Sequence, residues 1–104
     1  MSAYAIMDLE VHDIEAYLAY QQALRPLLDA AGARYLARGG PFRVLDGDYQ
    51  PRRLVLMEFP DFDALEDFFE GEPYLALEPR RRACSAARIL AVQGLEGDAG
   101  AEPA

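Results

Sequence analysis

The chain is predicted to fold as one α+β domain in the order βαββαβ, a four-stranded antiparallel sheet with its helices on one face. Strand signals flank two stretches with helical spacing in that order. The length of 104 residues suits one core and is too short for two. A composition that is 52% hydrophobic and 27% charged is that of a globular chain.

The first strand is read over Ala3 to Val11, with Ala5, Met7, Leu9 and Val11 on one side and Tyr4, Ile6, Asp8 and Glu10 on the other. Asp13 caps a helix whose inward stripe is Ile14, Tyr17, Leu18, Leu24, Leu27, Leu28 and Ala31. Pro26 is expected to kink or restart it, and Gly32 to stop it. Ala33 to Arg38 reads as the second strand, broken by Gly39, Gly40 and Pro41 and resumed by Phe42 to Leu45. Asp46 to Pro51 is turn-rich, so this strand is expected to pair as a hairpin with the apolar run Arg53 to Phe59. Pro60 and Asp61 open a second helix that turns Phe62, Leu65, Phe68 and Phe69 inward and ends at Gly71. Glu72 to Cys84, with Pro73 and Pro79, is expected to form two short helical turns, and Ala86 to Gln93 the last strand. The domain is expected over residues 1–95, with 96–104 a disordered acidic tail.

Right-handed crossovers place both helices on the same side of such a sheet, which leaves the other side bare. The residues facing that way are apolar: Tyr4 and Ile6 on the first strand, Leu54 and Leu56 on the third, Leu90 and Val92 on the last. A patch of this kind marks an interface, and the economical cover is the same face of a second copy, so a homodimer is expected.

A net charge of −8 opposes binding to nucleic acid. No apolar run approaches the roughly 20 residues that cross a bilayer, and the N-terminus lacks the basic and apolar parts of a secretory signal. No membrane association and a cytoplasmic location are expected. The single cysteine, Cys84, has no disulfide or metal partner and reads as a small side chain at a helix end.

The stretches Asp13 to Tyr17 (DIEAY), Gly32 to Gly40 (GARYLARGG), Leu45 to Gly47 (LDG), Pro51 to Pro60 (PRRLVLMEFP) and Glu72 to Leu77 (EPYLAL) carry a resemblance to a known family. Over Tyr4 to Val92 the chain resembles domain-of-unknown-function family 1330, a group of small bacterial proteins within the dimeric α+β barrel superfamily. The resemblance implies a ferredoxin-like protomer and a side-by-side dimer, with ligands usually held between helices and sheet. It implies no activity. Ala33 stands where a second glycine is common in that family, and Phe69 where a tryptophan is frequent.

Polar groups on the strands form the strongest candidate constellation. Arg34 and Arg38 share one side of the second strand, and with the hairpin registered through Asp46 to Pro51, Arg38 is expected to approach Glu58. Functionally, the arginines would orient a carboxylate or phosphate on a substrate while Glu58 acts as acid or base. The alternative, and the stronger of the two, is an ion pair across strands or across the dimer seam. His12, the one histidine, is a second catalytic candidate, but its place just ahead of a helix favours an exposed loop residue. Tyr17, Tyr20, Tyr35, Tyr49 and Tyr74 offer hydroxyls to line a cleft; Tyr17, Tyr20 and Tyr74 are the substrate-binding candidates, although buried tyrosine bodies with wet tips explain them as well.

Asp8, Glu10, Asp13 and Glu15 have no ligand spacing, so no metal is expected, and nothing calls for a cofactor. Arg80 to Arg82 reads as a solvated turn, and Arg38 to Pro41 lacks any phosphate-loop pattern. No GxSxG motif is present, which excludes hydrolase chemistry of that type. The leading expectation is a cofactor-independent enzyme or ligand-binding protein acting on a small molecule. Its rival is a non-catalytic dimeric module that binds a metabolite or a protein.

Overall fold

The computed structural model describes residues 1–95. Its elements are β1 (Ala3–Val11), α1 (Ile14–Ala30), β2 (Arg34–Arg38), β3 (Leu54–Phe59), α2 (Phe62–Glu70), α3 (Glu72–Cys84) and β4 (Ser85–Gln93). The four strands form one antiparallel sheet in the order β2-β3-β1-β4, the ferredoxin-like arrangement. The expected tail, 96–104, lies outside the described residues.

β1 behaves as its alternation requires: Ala3, Ala5, Met7 and Leu9 are buried, and the residues between them are half-buried. α1 starts where the Asp13 side chain accepts the Ala16 N–H at 3.1 Å. Its inward stripe is Tyr17, Tyr20, Leu24 and Leu28, whereas Ile14 and Leu18, expected inside, are about half exposed because they fall to the side of that stripe. Pro26 neither breaks nor restarts the helix. It sits on the exposed side, so the carbonyl of Gln22 that loses its donor faces water.

The helix ends in a Schellman motif. Gly32, at φ +72°, donates to Asp29 O at 3.1 Å, and Ala33 donates to Leu28 O at 2.9 Å.

Three expectations are corrected. Phe42 to Leu45 is not a strand: the last hairpin bond is Gly39 N–H to Leu54 O, at 2.8 Å, and β3 offers no further edge to pair with. Residues 39–53 instead form a long connection whose Leu45 is 80% exposed. Glu72 to Cys84 is one helix rather than two turns. Pro73 occupies its first turn, where no donor is needed, and Pro79 is exposed, so the carbonyl of Leu75 that it orphans meets solvent. Third, Arg34 and Arg38 do not share a side: the β2–β3 register shifts between Tyr35 and Ala37, which sets Arg34 opposite Glu58 of the outer face and Arg38 opposite Val55 of the inner one.

The core lies between the helices and the inner sheet face, where Val55, Met57 and Phe59 of β3 are buried as expected. Phe59, Phe68, Phe69 and Tyr74 close one end of it, with ring centroids 4.9–5.9 Å apart. The outer face presents three rows across the strands: Arg34, Glu58, Tyr4 and Val92; then Leu56, Ile6 and Leu90; then Leu54, Asp8 and Arg88. Leu90 is 59% and Val92 46% exposed.

Gly32 is the position where backbone conformation and space coincide, because a Cβ there would also stand 3.1 Å from Pro60 Cγ. Gly32→Ala is expected to lower stability by about 1–2 kcal/mol, the cost of a left-handed non-glycine residue. Urea denaturation of the two proteins measures it, and an unchanged midpoint contradicts it.

Candidate functional site

The candidate residues fall in three places. Arg34 and Glu58 meet on the outer sheet face, where Arg34 Nε donates to Glu58 Oε1 at 2.7 Å. The expected Arg38–Glu58 approach does not occur. The bulge sets Arg34 opposite Glu58 and Arg38 opposite Val55, and the Arg38 guanidinium lies over the Tyr35 ring at 4.7 Å. Arg34 and Arg38 also line an open groove of about 380 Å³ with Arg25, Asp29 and Tyr35. Arg34, and then the hydroxyls of Ser2 and Tyr4, hold the Glu58 carboxyl below its ordinary range. A carboxylate kept ionised in this way is a weak general base near neutral pH.

His12 is far from this pair. Tyr4 stands opposite Glu58, and His12 lies eight residues further along the chain, roughly 26 Å at strand rise. The His12 ring is solvent-exposed, with Glu10 Oε1 at 3.9 Å from Nδ1. Asp8, also on the outer face, accepts the Tyr49 hydroxyl at 2.5 Å and the Arg52 N–H at 3.0 Å, which ties the long connection to the sheet and lowers the Asp8 pKa.

The third place is the interior. Tyr17 and Tyr20 come from α1 and Tyr74 from α3, all three buried, with the Tyr17 and Tyr20 rings 5.7 Å apart. Beside them lies a residue that sequence reasoning placed in solvent. Arg81 is only 6% exposed, on the same helical face as Tyr74 seven residues earlier. Arg80 and Arg82 on either side are exposed, and Arg82 pairs with Glu78 at 3.1 Å. Arg53, just ahead of β3, keeps the parity of Val55 and packs its guanidinium against Gly39, where a Cβ would collide with it.

The spacing from Tyr74 to Arg81 was available as a signal, but only to a reader who treated Glu72 to Cys84 as one helix. For Arg53 the signal was its parity with Val55.

The hydroxyls of Tyr20 and Tyr74 and the Nε atoms of Arg81 and Arg53 are buried without hydrogen-bond partners. No carboxylate forms an ion pair with Arg81 among the described residues. Burial pushes the Tyr17 hydroxyl up to about 12, Tyr35 adds to this, and Arg53 and Arg81 oppose it. Burial and then Tyr74 raise Tyr20 further, against Arg81. These tyrosines therefore stay neutral and can donate, and the arginines only donate. The region therefore gathers buried donors beside two guanidinium groups. No group of three or more metal-ligating side chains is gathered among the described residues.

A raised tyrosine has a definite pH signature. An unfolded Tyr17 loses its proton near 10.0 and the folded one near about 12, so between these values the native state binds more protons and stability falls as pH rises. Below that window the group adds no slope. Denaturation at about pH 9 and about pH 11 is expected to show a lower midpoint at the higher pH, with tyrosinate absorbance appearing in two phases. One tyrosinate phase at the ordinary value, with no loss of stability, contradicts the burial of these hydroxyls.

Comparison with known proteins places this geometry. A family model described as "Domain of unknown function (DUF1330)" matches residues 2–95. No curated protein matches the sequence. Among solved structures, the chain is similar to a protein of unknown function from Rhodopseudomonas palustris, with a TM-score of 0.72 at 17% identity over 92% of this chain and 84% of that one. A dimeric ferredoxin-like protein of unknown function from a Jannaschia species matches with a TM-score of 0.59 at 19% identity, over 93% of this chain and 100% of that one. SnoaB, a cofactor-independent oxygenase from Streptomyces nogalater, matches with a TM-score of 0.53 at 13% identity, over 93% of this chain and 96% of that one. At these identities the structural matches establish the fold alone, whereas the sequence match covers nearly all the described residues: the chain belongs to the DUF1330 family.

Proposed function

We propose that this protein works as a homodimer and binds a small organic molecule between the helices and the sheet of each protomer. The observation that carries the reading is the group of unpartnered donors around Tyr20, Tyr74 and Arg81 on the inner side of the sheet. Interiors rarely leave such groups unmet unless another molecule meets them.

The dimer is supported by the outer face, where the row Leu56, Ile6 and Leu90 is flanked by Arg34 with Glu58 on one side and Asp8 with Arg88 on the other. An apolar centre with charged groups at its rim is the anatomy of a protein interface. The solved dimeric ferredoxin-like protein of the same fold supports this pairing by analogy. A cytoplasmic location belongs to the same proposal, supported by the free thiol of Cys84, which suits a reducing compartment.

Turnover of the bound molecule is the further part of the reading. Donors held in a dry interior stabilise negative charge that develops on a carbonyl oxygen, so the site suits chemistry through an enolate. SnoaB supports a cofactor-independent reaction only by analogy of fold. One observation favours the non-catalytic alternative: Glu58 is on the opposite face of the sheet and paired with Arg34, and His12 is exposed, so neither candidate base reaches the tyrosines. Binding is therefore supported further than catalysis.

Native mass spectrometry of freshly purified protein is expected to show a dimer carrying a small molecule in each protomer. A ligand-free monomer overturns the reading. Ile6→Arg, in the middle of the apolar row, is expected to give a folded monomer by light scattering with an unchanged circular dichroism spectrum. A variant that remains dimeric means that the copies pair through another surface.

A further inference from the structure

We propose that the interior site takes a singly charged organic anion, a carboxylate on a planar apolar body, and that Arg81 is its counter-ion. The proposal rests on the reading that a small molecule occupies the interior, and it names that molecule's chemistry.

The unpaired state of Arg81 is not for want of acid. The chain has 18 acidic residues against 10 basic ones, yet among the described residues none forms an ion pair with Arg81. Glu78 on the same helix holds Arg82, Glu58 holds Arg34, Asp29 holds Arg25, and Asp8 holds Tyr49 and Arg52. A guanidinium that is 6% exposed with no counter-charge is a poor structural choice, since an apolar side chain of similar volume would serve the packing better. What Arg81 provides that a leucine or methionine cannot is a fork of donors aimed at an anion.

Three further features set the class of anion. The Tyr20 and Tyr74 hydroxyls face each other with no other partner, which leaves a proton of the pair to donate, and Arg81 acts on Tyr20 beside them. Together with Arg81 Nε they match the acceptor sites of a carboxylate or a similar oxyanion. The neighbouring side chains are aromatic, with the Tyr17 and Tyr20 rings packed together and Tyr74 packed edge-on to Phe69, company that suits a flat apolar body. The net charge of −8 and the dry surroundings disfavour a multiply charged anion such as phosphate.

The test measures thermal midpoints and calorimetric affinity of the dimer with three probes: benzoate, its neutral isostere benzamide, and inorganic phosphate. Benzoate is expected to raise the midpoint in proportion to its concentration, with benzamide and phosphate giving less. Arg81→Gln is expected to weaken benzoate by about tenfold or more and leave benzamide unchanged, while Arg80→Gln, on the exposed side of α3, behaves as wild type.

Arg81→Met separates a ligand role from a structural one. Removing an uncompensated charge is expected to raise the midpoint of the ligand-free protein, whereas loss of a structural arginine lowers it. Benzamide binding as tightly as benzoate, or Arg81→Gln binding benzoate within about twofold of wild type, overturns the anion assignment and leaves small-molecule binding intact. A lowered midpoint in Arg81→Met likewise shows a structural arginine and overturns it. Failure of all three probes, together with a ligand-free native spectrum, overturns both readings.

Discussion

β1 lies between β3 and β4, so its alternation decides what both faces of the sheet are made of. On the inner side it supplies small residues where its partners supply large ones: Ala3 stands opposite Phe59 and Ala5 opposite Met57. That pairing leaves room for the aromatic group that α2 and α3 bring down onto Phe59. On the outer side the same strand contributes Tyr4 and Ile6 to the apolar rows and Asp8 to the anchor of the long connection. A one-residue slip of β1 would exchange these two sets, which is why the register is so strongly determined.

The helices divide the inner space unequally. α2 is short and amphipathic, and its Leu65, Phe68 and Phe69 complete an aromatic end against Phe59 and Tyr74. α1 and α3 pack along each other and bring tyrosines and an arginine to their shared side. The polar groups there are not scattered. Tyr17, Tyr20, Tyr74 and Arg81 follow the inward stripes of two helices, positions that usually hold leucine. Unpartnered polar groups at such positions cost the fold stability that leucine there would not.

Much of this was legible in the sequence, for local reasons. β1 shows its period, Asp13 and Asp61 cap the helices they precede, and Gly32 stops α1, each through interactions within a few residues. The apolar outer face could be read for the same reason, from the parity of Leu54, Leu56, Leu90 and Val92. What escaped depended on partners distant in the chain. A bulge in β2 changes which arginine meets Glu58, and no local pattern announces it. Phe42 to Leu45 has strand composition but no strand left to pair with. Pro79 disguised α3 because the cost of its missing donor depends on which side of the helix faces water. Arg81 was hidden by its neighbours: a run of three arginines suggests solvent, and only a continuous helix shows that the middle one turns away from it.

The contact between Gly39 and Arg53 has an evolutionary consequence. Gly39 opens the long connection and Arg53 closes it, so the two ends of the segment rest on each other, and the flanking bonds from Gly39 N–H to Leu54 O and from Leu9 N–H to Arg53 O fix both ends to the sheet. Chain between Gly40 and Asp46 can thus lengthen without passing any change on to the strands, at a closure cost of only about 0.6 kcal/mol for each doubling. Such a change leaves Arg53 in place on the helix side of the sheet. The same clamp that serves the interior leaves the periphery free to vary.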